Sequence, residues 1–164
     1  MSTQLKNLSD FSETDVPQAA PYHFGIVVAE WNRVITQALY EGAYESLVDH
    51  GALPQNIYTY SVPGSFELTS GADILLKNRK LDAVICLGCV IQGETRHFEF
   101  ICNAVANGIS NVALKYSKPV IFGVLTTDNQ QQADDRAGGK HGNKGVEAAV
   151  TAIKMAYLAE TLNS

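Results

Sequence analysis

The chain has 164 residues, enough for one domain with a real hydrophobic core. Its 46% apolar and 18% charged residues suit a soluble globular protein, and its net charge of −5 argues against a general binder of nucleic acid or anionic membrane. No apolar stretch is long enough to span a bilayer.

The chain begins "MSTQLKNLSDFSETDVPQAAP", without a basic start followed by an apolar block. It is not a signal peptide, and a cytoplasmic location is expected. Residues 1–21 read as a polar N-terminal arm, either poorly ordered or ordered against a neighbouring subunit. Residues 22–164 read as a single domain.

Four segments have the character of strands: 23–29, 56–62, 82–91 and 119–125. The first, third and fourth are continuously apolar, as expected of strands covered on both faces of a parallel sheet. The second alternates and is expected at an edge. Helical spacing appears over 32–50 (Ile35, Leu39, Ala43, Leu47), with Gly51 as its stop, and over 66–79 (Leu68, Ala72, Leu75). It continues over 96–116 (Phe100, Ala104, Ile109, Leu114), a short polar stretch at 129–136, and 146–161 (Val146, Val150, Ile153, Tyr157). The β-α alternation predicts a flavodoxin-like three-layer α/β/α sandwich around a four-stranded parallel sheet.

Cys86, Cys89 and Cys102 are odd in number, which argues for free thiols. Cys86 and Cys89 share a strand at an odd offset, so they face opposite ways and cannot easily ligate one metal. No metal site is expected. They read as small buried hydrophobes.

Ligands of such folds bind beyond the carboxyl ends of the strands. There the chain places "AEWN" with Trp31, "VPGSFE" with Phe66 and Glu67, "GETRH", and "LTTDN" with Phe122 just before it. The aromatics are either core or a platform for a planar heterocycle. Glu67 either complements a helix dipole or accepts hydroxyls of a polyol; both are compatible. Gly93 allows a tight turn, Thr95 reads as an N-cap, and a helix start there attracts phosphate. His97 falls in the first helical turn, whose dipole favours a neutral ring able to accept a proton. His97 and Glu99 are too poorly spaced for a metal pair. Residues 134–145, "DDRAGGKHGNKG", gather Arg136, Lys140, His141 and Lys144 in an acidic protein, with Asn143 as a helix N-cap. They form either a flexible solvated loop or an anion site in which Arg136 clamps a phosphate or carboxylate. No Walker A or dinucleotide glycine pattern fits.

"AEWN", "VPGSFE", "GCVIQGETRHFEF" (88–100), "PVIFGVLTT" (119–127) and "DRAGGKHGNKG" together resemble the 6,7-dimethyl-8-ribityllumazine synthase family of riboflavin biosynthesis, from about residue 22 to the end. The resemblance implies a transferase, free of metal and organic cofactor. It condenses 5-amino-6-(D-ribitylamino)uracil with 3,4-dihydroxy-2-butanone 4-phosphate, releasing phosphate and water. It implies that Trp31 stacks on the pyrimidine and that Ser65, Phe66 and Glu67 meet the ring and ribityl chain. Cys89, Val90 and Ile91 would contact the pyrimidine through backbone, and Glu94 and Thr95 the phosphate. His97 would shuttle protons, with Arg136 as the other catalytic residue, and Phe122 and Lys144 would complete the site, some from an adjacent subunit. Trp31 stands where phenylalanine is frequent, and Gln92 where a basic residue is frequent. The family is pentameric, with the active site at the subunit interface. The short "GGKHGNKG" loop leans towards the sixty-subunit icosahedral shell of twelve pentamers, and riboflavin synthase is a candidate partner. Two rivals use the same scaffold: a non-catalytic flavin or nucleotide carrier, and a shell protein with a vestigial pocket.

Overall fold

The computed structural model describes residues 16–163 together with Asn7, Ser9 and Asp10. The elements in chain order are β1 (Phe24–Ala29), α1 (Arg33–Asp49), a 3-10 turn (Pro54–Asn56), β2 (Ile57–Val62), α2 (Leu68–Asn78) and β3 (Ala83–Ile91). Then come α3 (His97–Tyr116), β4 (Val120–Thr127), α4 (Gln130–Asp134), β5 (Ala137–Gly139), β6 (Gly142–Asn143) and α5 (Lys144–Asn163). Strands β1 to β4 form one parallel sheet in the order β2-β1-β3-β4, which puts the alternating strand at an edge as its pattern requires.

Each central strand feeds two cores because its side chains alternate. Phe24, Ile26, Ile85 and Leu87 pack with Ile35, Leu39, Ala43 and Leu47 of α1 and with Val150 and Ile153 of α5. Val27, Val84 and Cys86 pack on the other face with Leu68, Ala72 and Leu75 of α2 and with Val105, Ile109 and Val112 of α3. Three layers result. Cys89 lies in the first cluster and Cys86 in the second, so the two thiols do face opposite ways.

Two helical stripes differ from the expected ones. In α3 the buried residues are Val105, Ile109 and Val112, while Phe100 is 66% and Leu114 79% exposed. In α5, Val150 and Ile153 are buried, whereas Tyr157 is half exposed. These helices carry apolar residues on more than one face, and spacing alone could not say which face meets the sheet.

At 134–145 the chain is not an open loop. It forms the antiparallel hairpin β5–β6, in which Lys140 pairs with Asp135 at 3.0 Å. Asn143 does cap α5: its Oδ1 accepts the Gly145 N–H at 2.7 Å, while its Nδ2 donates to Ala38 O at 2.9 Å. Gly145 is required there, because a Cβ would stand 1.9 Å from Leu39 O.

Of the expected N-terminal arm, residues 1–6, 8 and 11–15 lie outside the described residues. Val16 and Ala19 are buried in the first core, and Ala19 N–H donates to His50 O at 2.9 Å. Among the described residues, no helix is long and apolar enough to cross a membrane.

Candidate functional site

The connection after β1 runs through α1 on one face, and that after β3 runs through α3 on the other. A crevice opens between the carboxyl ends of adjacent strands whose connections diverge in this way. A cavity of about 760 Å³ lies there.

Its walls come from four segments. Trp31 and Asn32 follow β1, and Gly64, Ser65, Phe66 and Glu67 lead into α2. Cys89, Val90 and Ile91 end β3. Gly93, Thr95, His97, Phe98 and Ile101 belong to the turn into α3 and its first turns. Trp31 and Phe66 are 71% and 55% exposed, so both rings present open surface instead of filling the core. Nine of the residues singled out from the sequence are brought together: Trp31, Ser65, Phe66, Glu67, Cys89, Val90, Ile91, Thr95 and His97.

The polar groups are arranged unevenly. Glu67 is the N-cap residue of α2, yet its side chain makes no capping bond. The Ser65 hydroxyl is buried without a hydrogen-bond partner, close enough to β3 that a Cβ on Gly88 would stand 2.7 Å from it. A buried hydroxyl left without a partner calls for an explanation, and Ser65 shares that state with Thr127 at the end of β4. Burial pushes the Cys89 thiol up to about 12, so it is neutral and not a nucleophile.

The turn before α3 departs from its sequence reading in two ways. The N-cap is Arg96, not Thr95; Thr95 Oγ1 instead accepts the His97 N–H at a long 3.4 Å. Helix boundaries differ by a residue at such ends. Gly93 has no positive φ, and a Cβ there would meet nothing within 4 Å. The turn does not need glycine; the missing side chain leaves open space in the pocket wall.

Four expected site residues do not line this cavity: Glu94, Phe122, Arg136 and Lys144. Glu94 is exposed on the same turn. Phe122 lies mid-strand, paired with Cys86 five positions before the end of β4, and is half-buried beside the second core. The Arg136 guanidinium donates to Gln132 O at 3.0 Å, and Lys144 pairs with Glu147 at 2.7 Å. Lys144 therefore has an anion beside it that offsets the unfavourable helix dipole.

The sequence reading omitted Asn32, Phe98 and Ile101 from the site. Phe98 and Ile101 are three apart on α3, so they share a face. Asparagine at a strand-to-helix corner is the residue type that accepts left-handed backbone, a signal available at Asn32. Among the described residues no group of three or more His, Cys, Asp or Glu side chains could hold a metal ion.

Residues 21–160 match the family model described as 6,7-dimethyl-8-ribityllumazine synthase. The protein of that name from Cytophaga hutchinsonii is 63% identical over 162 residues, spanning 99% of this chain and 100% of its own. Its namesake from Flavobacterium johnsoniae is 54% identical over 96% of this chain and 83% of its own. That from Parabacteroides distasonis is 56% identical over 94% and 97%.

Proposed function

This chain belongs to the 6,7-dimethyl-8-ribityllumazine synthase family, and on that premise we propose that the cavity beyond β1 and β3 is one half of its active site. The protein is a transferase that condenses 5-amino-6-(D-ribitylamino)uracil with 3,4-dihydroxy-2-butanone 4-phosphate to give 6,7-dimethyl-8-ribityllumazine, phosphate and water.

In this reading the pyrimidine lies against Trp31 and Phe66, with its polar edge on the backbone of Cys89, Val90 and Ile91. Glu67 receives ribityl hydroxyls, with Ser65 beside it in the pocket wall. Glu94, Thr95 and the space at Gly93 take the phosphate at the start of α3. Much of the rate enhancement comes from holding amine and ketone in register, because imine formation between oriented partners removes an entropy cost. His97, at the pocket wall, moves protons during imine formation, phosphate elimination and ring closure.

The observation that carries the reading is the split in the predicted set: nine positions share the cavity, while Phe122, Arg136 and Lys144 lie elsewhere. A second subunit would bring Phe122, Arg136 and Lys144 to the cavity, with Arg136 clamping the phosphate. The exposed apolar residues Phe100, Leu114 and Leu162 are consistent with burial between subunits. We assign the assembly to a pentamer, stacked into a sixty-subunit shell, acting in the cytoplasm and supplying riboflavin synthase.

The test is direct. The two substrates are mixed with the protein and the fluorescent lumazine is followed. His97→Ala slows turnover by about 10²–10⁴-fold but leaves activity. Arg136→Ala raises KM for the phosphorylated ketone roughly tenfold to a hundredfold, the worth of a charge-assisted contact. Unchanged turnover in His97→Ala removes that residue from the mechanism.

A further inference from the structure

Trp31 is 71% exposed, so packing does little to fix its indole. Its position is set through the backbone. Glu30 N–H donates to Val62 O at 2.8 Å and Trp31 N–H to Pro63 O at 3.2 Å, extending the β1–β2 ladder past its end. The next residue, Asn32, then turns the chain with φ 58 and ψ 46.

That conformation is unusual for its place. Among the described residues only Asn32 and Ser117 combine a positive φ with a side chain. Ser117 ends α3, where a left-handed residue is common. Asn32 begins α1, where the N-cap residue is normally extended and spends its side chain on the helix. Asn32 makes no such capping bond. Its Nδ2 donates instead to Cys89 O at 3.0 Å, at the end of β3 on the far side of the crevice. Its carbonyl meanwhile accepts from Ile35 and Thr36, which ties the same corner to α1. A good capping residue has given up its cap to brace the two strand ends between which the pocket opens.

We propose that Asn32 is the positioning residue for Trp31: its left-handed turn aims the indole across the pocket mouth, and its amide to Cys89 O locks that turn. This rests on the reading above, in which Trp31 stacks on the pyrimidine. Without the lock the indole samples more orientations, and substrate binding must select the productive one, which raises apparent KM in proportion.

Trp31 is the one tryptophan in the chain, so fluorescence excited at the red edge, where its seven tyrosines do not absorb, reports on it alone. Asn32→Gly keeps the left-handed turn without steric cost and removes the amide; Asn32→Ala removes both. In the full-length enzyme the fluorescence anisotropy of Trp31 falls in Asn32→Gly and falls further in Asn32→Ala. KM for 5-amino-6-(D-ribitylamino)uracil rises about two- to tenfold in Asn32→Gly, and roughly tenfold more in Asn32→Ala. KM for the phosphorylated ketone and kcat stay near wild type. In a Trp31→Ala background, adding Asn32→Gly changes KM no further, because the side chain it positioned is gone.

An equal loss in both backgrounds overturns the proposal, since Asn32 would then act on substrate or fold without Trp31. Unchanged anisotropy in Asn32→Gly also overturns it. Should Asn32→Ala fail to fold, the glycine variant and the double-mutant cycle still decide. Failure of the underlying reading looks different: Trp31→Ala alone would leave KM unchanged, while the anisotropy would still report whether Asn32 holds the ring.

Discussion

The space around Gly93 is open, and its backbone is one that any residue adopts. Glycine in a strand-to-helix turn suggests a conformational need, but here the need is for room. Gly93→Ala should therefore leave Tm unchanged while raising KM for the phosphorylated ketone, because the methyl group would project into the space proposed for the phosphate. A Tm loss would show that the turn itself requires glycine. At the same scale, Cys86 and Cys89 were legible from spacing alone. An odd offset in a strand separates the side chains, and burial raises both thiols to about 12. The left-handed turn at Asn32 had a sequence signal, but its bond was not legible, because the partner, Cys89 O, is 57 residues away.

Helix α2 follows one pocket segment, α3 carries another, and a charged cluster ties the two helices together. Asp73 of α2 pairs with Lys115 of α3 and with Lys77 at 3.2 Å, and it accepts the Tyr116 hydroxyl at 3.0 Å. The Lys115 contact foremost holds the Asp73 carboxyl down from 3.8 to about 2. A depressed carboxylate stabilises the fold above its unfolded pKa, and that stabilisation is lost as pH falls from about 4 to about 2. The Asp73 side chain is only partly shielded, so the effect is modest. Asp73→Asn should lower Tm at pH 7, and the gap from wild type should close by pH 2 in a thermal melt series. A gap independent of pH would mean that shape and not charge joins the helices. The buried stripe of α2 followed from its spacing. That of α3 did not, because Phe100 and Leu114 are apolar yet exposed, and spacing does not distinguish a face turned to the sheet from one turned to a partner.

Across the whole molecule, the proposed phosphate site has its helix start in one place and Arg136 in another. A shared site predicts complementation. Chains carrying His97→Ala and chains carrying Arg136→Ala, expressed together, should form hybrids in which roughly a quarter of the interfaces hold both intact residues, by random mixing. Activity should exceed the mean of the two parents. A mixture no better than that mean would return the site to a single chain.

The sequence by itself determined the layer order, the parallel sheet, the edge position of β2 and the binding edge, because these follow from local periodicity and the chirality of β-α-β connections. It also named the strand-end residues on which the proposed site rests. Only the tertiary structure decided which of them share a cavity, that Asn32 abandons its cap for Cys89, that Gly93 supplies room, and that the basic stretch closes into a hairpin. Those outcomes depend on contacts between residues distant in the chain, and periodicity carries no record of a contact it does not contain.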